Sequence, residues 1–126
     1  MANLEMMYSD RTLESGDPAI VVTLRGSIDS STAEQLDSDL GGLLETNPRA
    51  ALDFSEIEYV NSRGMSILIK HSDAVKGAGG MLVLVAVPKK IVATFEVMGL
   101  TSTFDFVDDE NAALAALAQG AQGGAP

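Results

Sequence analysis

Cysteine is absent from the 126 residues. Disulfides, thiolate metal ligation and thiol redox chemistry are therefore excluded together. The absence fits a reducing compartment. Basic residues are scarce, 8 against 18 acidic ones, for a formal net charge of −10. That charge would repel both a nucleic-acid backbone and an anionic membrane surface. No direct nucleic-acid or membrane partner is expected. A partner with a basic face would be attracted, chiefly through faster association. The N-terminal Met1-Ala2-Asn3-Leu4-Glu5 lacks the basic stretch and apolar run of a signal peptide. The longest apolar run, residues 81–87, is too short to span a bilayer. The expected location is the cytoplasm. A chain of this length suits one domain with a core that needs no disulfide or metal.

What is present alternates between strand and helix patterns. Residues 19–25 are rich in β-branched side chains and read as a strand. Turn residues Gly16, Asp17 and Pro18 precede them, so an earlier strand over 4–8 would complete a hairpin. Ser31 is expected to cap a first helix, with Glu34 closing a capping box. Ala33, Leu36, Leu40, Leu43 and Leu44 then repeat at helical spacing. Residues 50–54 read as a strand and 55–61 as a connection with buried anchors at Ile57, Tyr59 and Val60. A second helix over 63–78 carries Met65, Leu68, Ile69 and Val75 on its apolar side. The unalternating run at 81–87 suits a central strand covered on both faces. A third helix over 89–98, a strand over 103–107 and a fourth helix over 111–118 follow. The fold class is α/β, with a mixed, mostly parallel sheet of about five strands and about four helices.

Enzyme signatures are sparse. The one histidine, His71, falls in the middle of the second helix and is expected on its surface. A hydrolase using Ser62 and His71 is conceivable, but the chain has no G-x-S-x-G elbow and no triad context. No catalytic residue is assigned. Asp37 and Asp39, and Glu56 and Glu58, read as solvated surface. Asp108-Asp109-Glu110 suits the start of a helix. The glycines at 77–80 follow a helix and precede a strand, the reverse of a phosphate-binding loop. No cofactor or metal is expected.

The loop Asn61-Ser62-Arg63-Gly64 stands apart. It joins a strand region to a helix that begins there, the place where open α/β sheets carry function. Ser62 stands where an N-cap is expected, and local physics favours that role, worth about 1 kcal/mol. The same geometry would tolerate a phosphate, which free backbone N–H groups and the helix dipole would meet. Arg63 could add a charged partner. Gly64 leaves room for another protein or relaxes the backbone. A second loop, Gly26-Ser27-Ile28-Asp29-Ser30-Ser31-Thr32-Ala33, would share this surface if the two strands preceding the loops are neighbours.

These segments, in this order, resemble the STAS-domain anti-sigma-factor antagonists, small bacterial partner-switching proteins. The likeness covers residues 4–118. It is carried by Leu24-Arg25-Gly26-Ser27-Ile28-Asp29-Ser30-Ser31-Thr32-Ala33, by Leu52-Asp53-Phe54-Ser55, and by Val60-Asn61-Ser62-Arg63-Gly64-Met65. Gly79-Gly80 before Met81-Leu82-Val83-Leu84, and the stretch from Phe95 to Met98-Gly99-Leu100, complete it.

The resemblance implies a STAS domain over 1–118, and the Gly- and Ala-rich composition of 119–126 leads us to expect a disordered tail. The resemblance also implies a non-enzymatic partner switch. Such proteins bind an anti-sigma factor that is also a serine protein kinase, which frees the sigma factor. The kinase then phosphorylates a serine at the start of the second helix and the complex dissociates. A protein phosphatase resets the switch. The matching phosphorylation site is Ser62. The matching partner-binding residues are Asp29, Ser30, Ser31, Asn61, Ser62, Arg63, Gly64 and Met65. Two positions depart from the family: Asn61 stands where aspartate is usual, and Arg63 where a small residue is usual. Asparagine keeps the capping ability and loses the charge. The alternative within the resemblance is a STAS scaffold or accessory subunit of a sensory assembly or transporter, with no sigma-factor partner.

Overall fold

The computed structural model describes residues 3–123. The element order is β1 (Leu4–Thr12), β2 (Pro18–Ile28), α1 (Ala33–Thr46), β3 (Arg49–Val60), α2 (Ser62–Gly77), β4 (Met81–Val85), α3 (Lys89–Val97), β5 (Asp105–Val107) and α4 (Glu110–Gly123). The five strands form one sheet in the order β1-β2-β3-β4-β5. β1 runs antiparallel to β2, and the other three pairings are parallel. This is the α/β architecture expected, with five strands and four helices.

Strand alternation sorts the core into two layers. Ile20, Val22 and Leu24 of β2, Ala50, Leu52 and Phe54 of β3, and Leu82 and Leu84 of β4 share one face with Leu36, Leu40, Met65, Leu68 and Phe95 from α1, α2 and α3. Ala19, Val21, Ala51, Val83 and Val85 point the other way and meet Ala113 and Leu117 of α4. Period-two side chains buried on both faces explain why 81–87 shows no polar alternation. The strand itself ends at Val85, because Ala86 turns into the left-handed region at φ 53°.

Several boundaries differ from the sequence reading. β3 continues to Val60 through residues expected to form a connection. Glu56, Glu58 and Tyr59 are exposed there, while Ile57 and Val60 are buried. Register shifts on the β2–β3 ladder, between Thr23 and Arg25 and between Gly26 and Ser27, break the simple alternation. Such bulges re-aim side chains without ending the strand. α4 runs to Gly123, beyond its expected end at Ala118. Residues 124–126, the rest of the expected tail, lie outside the described residues. At the near end of β2, Gly26 has φ 115°, and a Cβ there would overlap the Asn3 carbonyl oxygen. Only glycine fits that approach.

Candidate functional site

β2 and β3 are parallel neighbours, so their C-terminal ends deliver two loops to one place. The Asn61 N–H donates to the Ile28 carbonyl at 2.9 Å and ties the loops together. The shared surface expected from the sequence is therefore formed.

The cap of α2 is Asn61, not Ser62. Asn61 is extended, with φ −94° and ψ 178°, and its Oδ1 accepts from the Gly64 N–H at 2.9 Å. Ser62 is the first helical residue and is exposed. Among the described residues its hydroxyl has no hydrogen-bond partner; only its backbone carbonyl is used, accepting from Ser66 Oγ at 3.2 Å. The first-turn N–H groups of Ser62 and Arg63 have no intrahelical acceptor available. Arg63 reaches toward Glu34 of α1, with Nη2 3.9 Å from Oε1, and both side chains are solvated.

Gly64 and Met65 face inward. Met65 is fully buried. A Cβ on Gly64 would overlap Ile28 Cγ2 and lie 3.1 Å from Val60 Cγ1. The glycine thus makes room for this protein's own core, and the two buried residues position the loop. Ile28 is β-branched and wholly buried, so it cannot swing aside. Alanine gains up to about 1 kcal/mol of helix propensity, while overpacking costs about 1–3 kcal/mol. Gly64→Ala should therefore lower the urea midpoint, by a net loss of about 1 kcal/mol. An unchanged or raised midpoint would show that the α2 start has slack.

The neighbouring loop is organised by Asp29 and Thr32. Asp29 Oδ1 accepts from the Ser31 N–H at 2.8 Å and from Ser31 Oγ at 2.7 Å. These bonds, the hydroxyl's first, hold the Asp29 carboxyl below its usual range, so it is ionised at neutral pH. Thr32 Oγ1 donates to the Ser27 carbonyl at 2.8 Å and accepts from the Asp29 N–H at 3.0 Å. Ser31 is consequently not the cap of α1. Thr32 is, and it makes no side-chain cap bond to the helix. The expected capping box with Glu34 does not form. Ser30 and Ser31 are exposed beside the Asp29 carboxylate. Thr32 and Glu34 were not singled out as site residues. Their signal was the Asp-x-x-Thr spacing of a side-chain turn, and helix geometry that aims Glu34 outward from the first turn of α1.

His71 is not on the surface. It is 8% exposed, and its Nε2 lies 2.8 Å from Asp37 Oδ1. Lys70 Nζ is 2.6 Å from the same oxygen. Nine positions along α2 separate His71 from Ser62, a rise of about 13 Å. The Ser62–His71 hydrolase arrangement is therefore not assembled. Bonds from Lys70 and then His71 lower the Asp37 carboxyl below 3.8. This contribution to stability is present above 3.8 and fades as pH falls through the lower native value. Stability curves of the parent and Asp37→Asn should converge in acid and separate as pH rises past that range. Parallel curves throughout would show the cluster to be energetically idle.

Among the described residues no group of three His, Cys, Asp or Glu side chains could hold a metal. No helix among them is long and apolar enough to cross a membrane.

A family model described as Mlab, STAS domain, matches residues 12–108. The chain belongs to the STAS domain family. The family is non-enzymatic. A candidate anti-sigma factor antagonist of Bordetella bronchiseptica, BtrV, is 27% identical over 106 residues, covering 83% of this chain and 91% of BtrV. The crystal structure of a candidate anti-sigma factor antagonist from Thermotoga maritima superposes with a TM-score of 0.73 at 15% identity, over 90% of this STAS domain and 96% of that chain. The anti-sigma factor antagonist SpoIIAA in its unphosphorylated form gives 0.65 at 17% identity, over 89% and 92%. The Bacillus SpoIIAA in its phosphorylated form gives 0.60 at 15%, over 84% and 96%. These structural likenesses establish the fold.

Proposed function

We propose that this STAS domain is an anti-sigma factor antagonist that binds a serine-kinase anti-sigma factor and is released when Ser62 is phosphorylated. One observation carries the reading. The Ser62 hydroxyl stands exposed at the first helical position, without a partner among the described residues, while Asn61 does the capping. A kinase can reach it, and modifying it leaves the cap in place.

The physical consequences follow from that position. A phosphate adds a charge of about −1.5 to −2 at the positive end of the α2 dipole, where free N–H groups and Arg63 favour it. The domain therefore tolerates the modified state, and the cost falls on the partner surface. That surface already presents ionised Asp29 on the adjoining loop. A partner face built to receive an acidic loop and a neutral hydroxyl would confront a doubly charged group instead. The fold can carry such a group, since SpoIIAA adopts it in phosphorylated form. Arg63 would tune the reaction, holding the phosphate locally and weakening its bond to Glu34. A protein phosphatase would reset the switch, and the cytoplasm is where kinase, phosphatase and sigma factor would meet.

The test is incubation with kinase anti-sigma factors and ATP, followed by phosphopeptide mass spectrometry. Phosphate on Ser62, with loss of the complex, is the expected result. Stable complexes in which Ser62 stays unmodified would overturn the switch and favour an accessory role in a larger assembly.

A further inference from the structure

β1 is an edge strand of nine residues, paired on one side by β2. Its phase can be read from the hydrogen bonds. The Ser27 N–H donates to the Asn3 carbonyl at 2.9 Å, and the register sets Leu4 against Gly26. In an antiparallel ladder, bonded and non-bonded positions alternate. Glu5, Met7, Ser9 and Arg11 therefore bond to β2, while the backbone groups of Leu4, Met6, Tyr8 and Asp10 face the open edge. Gln35 confirms the phase, because its Nε2 donates to the outward Leu4 carbonyl at 2.9 Å. Arg11 Nη1 covers the Asp10 carbonyl at 3.0 Å. Between these ends lies a stretch of open backbone at Met6 and Tyr8. The side chains of Met7 and Tyr8 are 53% and 62% exposed there.

A long exposed edge with apolar side chains is a template for another strand. We propose that β1 pairs with β1 of a second copy of this chain, antiparallel and centred on Tyr8, joining two sheets into one. Against the overall charge of −10, the charges flanking Tyr8 are self-complementary, Glu5 on one side and Arg11 on the other, which suits a second copy and sets the register. Centring on Tyr8 sets Tyr8 against the partner's Tyr8 and Met6 against the partner's Asp10, all at outward-facing positions that can exchange backbone bonds. It also sets Glu5 against the partner's Arg11, and the reverse, at non-bonded positions where opposed side chains come closest. Centring on Asp10 would place two like carboxylates directly opposite, which is unfavourable. Centring on Met6 shortens the overlap and carries Arg11 past the end of the partner strand. Glu5 has only a loose partner of its own, with Arg25 Nη1 at 3.9 Å. Arg11 already meets Glu110 at 3.0 Å, so in the dimer its guanidinium lies between two carboxylates.

Sedimentation equilibrium over a concentration series tests the pairing. The parent chain should show a monomer–dimer equilibrium. Tyr8→Pro removes an N–H that β2 does not use, so the fold should survive by circular dichroism while the dimer is lost. Glu5→Arg or Arg11→Glu alone should weaken the dimer roughly tenfold, and the two together should restore it. If Tyr8→Pro fails to fold, the charge-reversal pair still decides the register. A parent chain that is monomeric at every concentration overturns the proposal. So does a dimer indifferent to Tyr8→Pro, or a double reversal no stronger than the single ones.

Discussion

Ser62→Asp should weaken binding to a serine-kinase anti-sigma factor by roughly 100-fold, while Ser62→Ala should stay within about threefold of the parent. The size of the loss comes from desolvating an unpaired carboxylate at an interface, which costs about 2–5 kcal/mol. The ionised Asp29 on the adjoining loop adds repulsion of the same sign. The prediction separates binding from folding because of where Ser62 sits. Asn61, not Ser62, caps α2 through its bond to Gly64, so neither variant removes a cap. An aspartate at the first helical position even favours the dipole, by about 0.3–1 kcal/mol. Ser62→Asp should thus melt at or slightly above the parent temperature while losing its partner. Titration calorimetry and thermal unfolding on the same samples would show the split. Equal affinity of parent and Ser62→Asp for the kinase would sink the switch. A lowered melting temperature would instead point to damage at the helix start.

Much of this site was legible in the residues, and its misreadings have a shared cause. Ser, Asn and Thr have nearly the same capping preference. Where two of them are adjacent, composition cannot say which one ends in the extended conformation. At Asn61-Ser62 and at Ser31-Thr32 the phase is set by tertiary contacts. In the first, the Ile28 carbonyl holds the Asn61 N–H. In the second, Asp29 captures Ser31 and the Ser27 carbonyl captures Thr32. The correction at Asn61 strengthens the functional reading, because a serine freed from capping is one available for modification.

His71 fails differently. Gly64, Leu68, His71 and Val75 fall on one row of α2 at steps of three and four, and all are buried. The pattern was present, but a polar residue on it reads as surface unless its partner is known. That partner is Asp37, on a helix distant in sequence. The far end of β3 was hidden by Glu56 and Glu58, which look like loop. They lie on a strand that buries Ile57 and Val60 but exposes Tyr59, so no clean alternation marks it. Long-range pairing with β2 decides the strand there, and no local propensity reports it.

The largest loss of stability is expected from Phe95→Ala. Phe95 is fully buried on α3, and its ring meets two others edge-on. Phe104 is 5.4 Å away at 85°, and Phe106 is 5.3 Å away at 86°. β5 is only three residues long and lies at the sheet edge beside β4. So short a strand gains little from its own ladder and depends on this aromatic anchor. Truncation to alanine should cost about 3–5 kcal/mol, a large share of a typical domain's stability. Phe95→Leu keeps most of the apolar volume and loses the ring geometry, worth about 0.5–1.5 kcal/mol per pair. It should therefore fall between the parent and the alanine variant in urea unfolding. Hydrogen exchange adds a spatial check. In Phe95→Ala, protection should fall first at Asp105, Phe106 and Val107, while β2 and β3 keep theirs until global unfolding. Asp29 and Ser62 lie just past the C-terminal ends of those two strands, so the folded fraction of the variant should keep the proposed partner binding. Uniform loss of protection would mean that α3 and β5 belong to the same cooperative unit as the site.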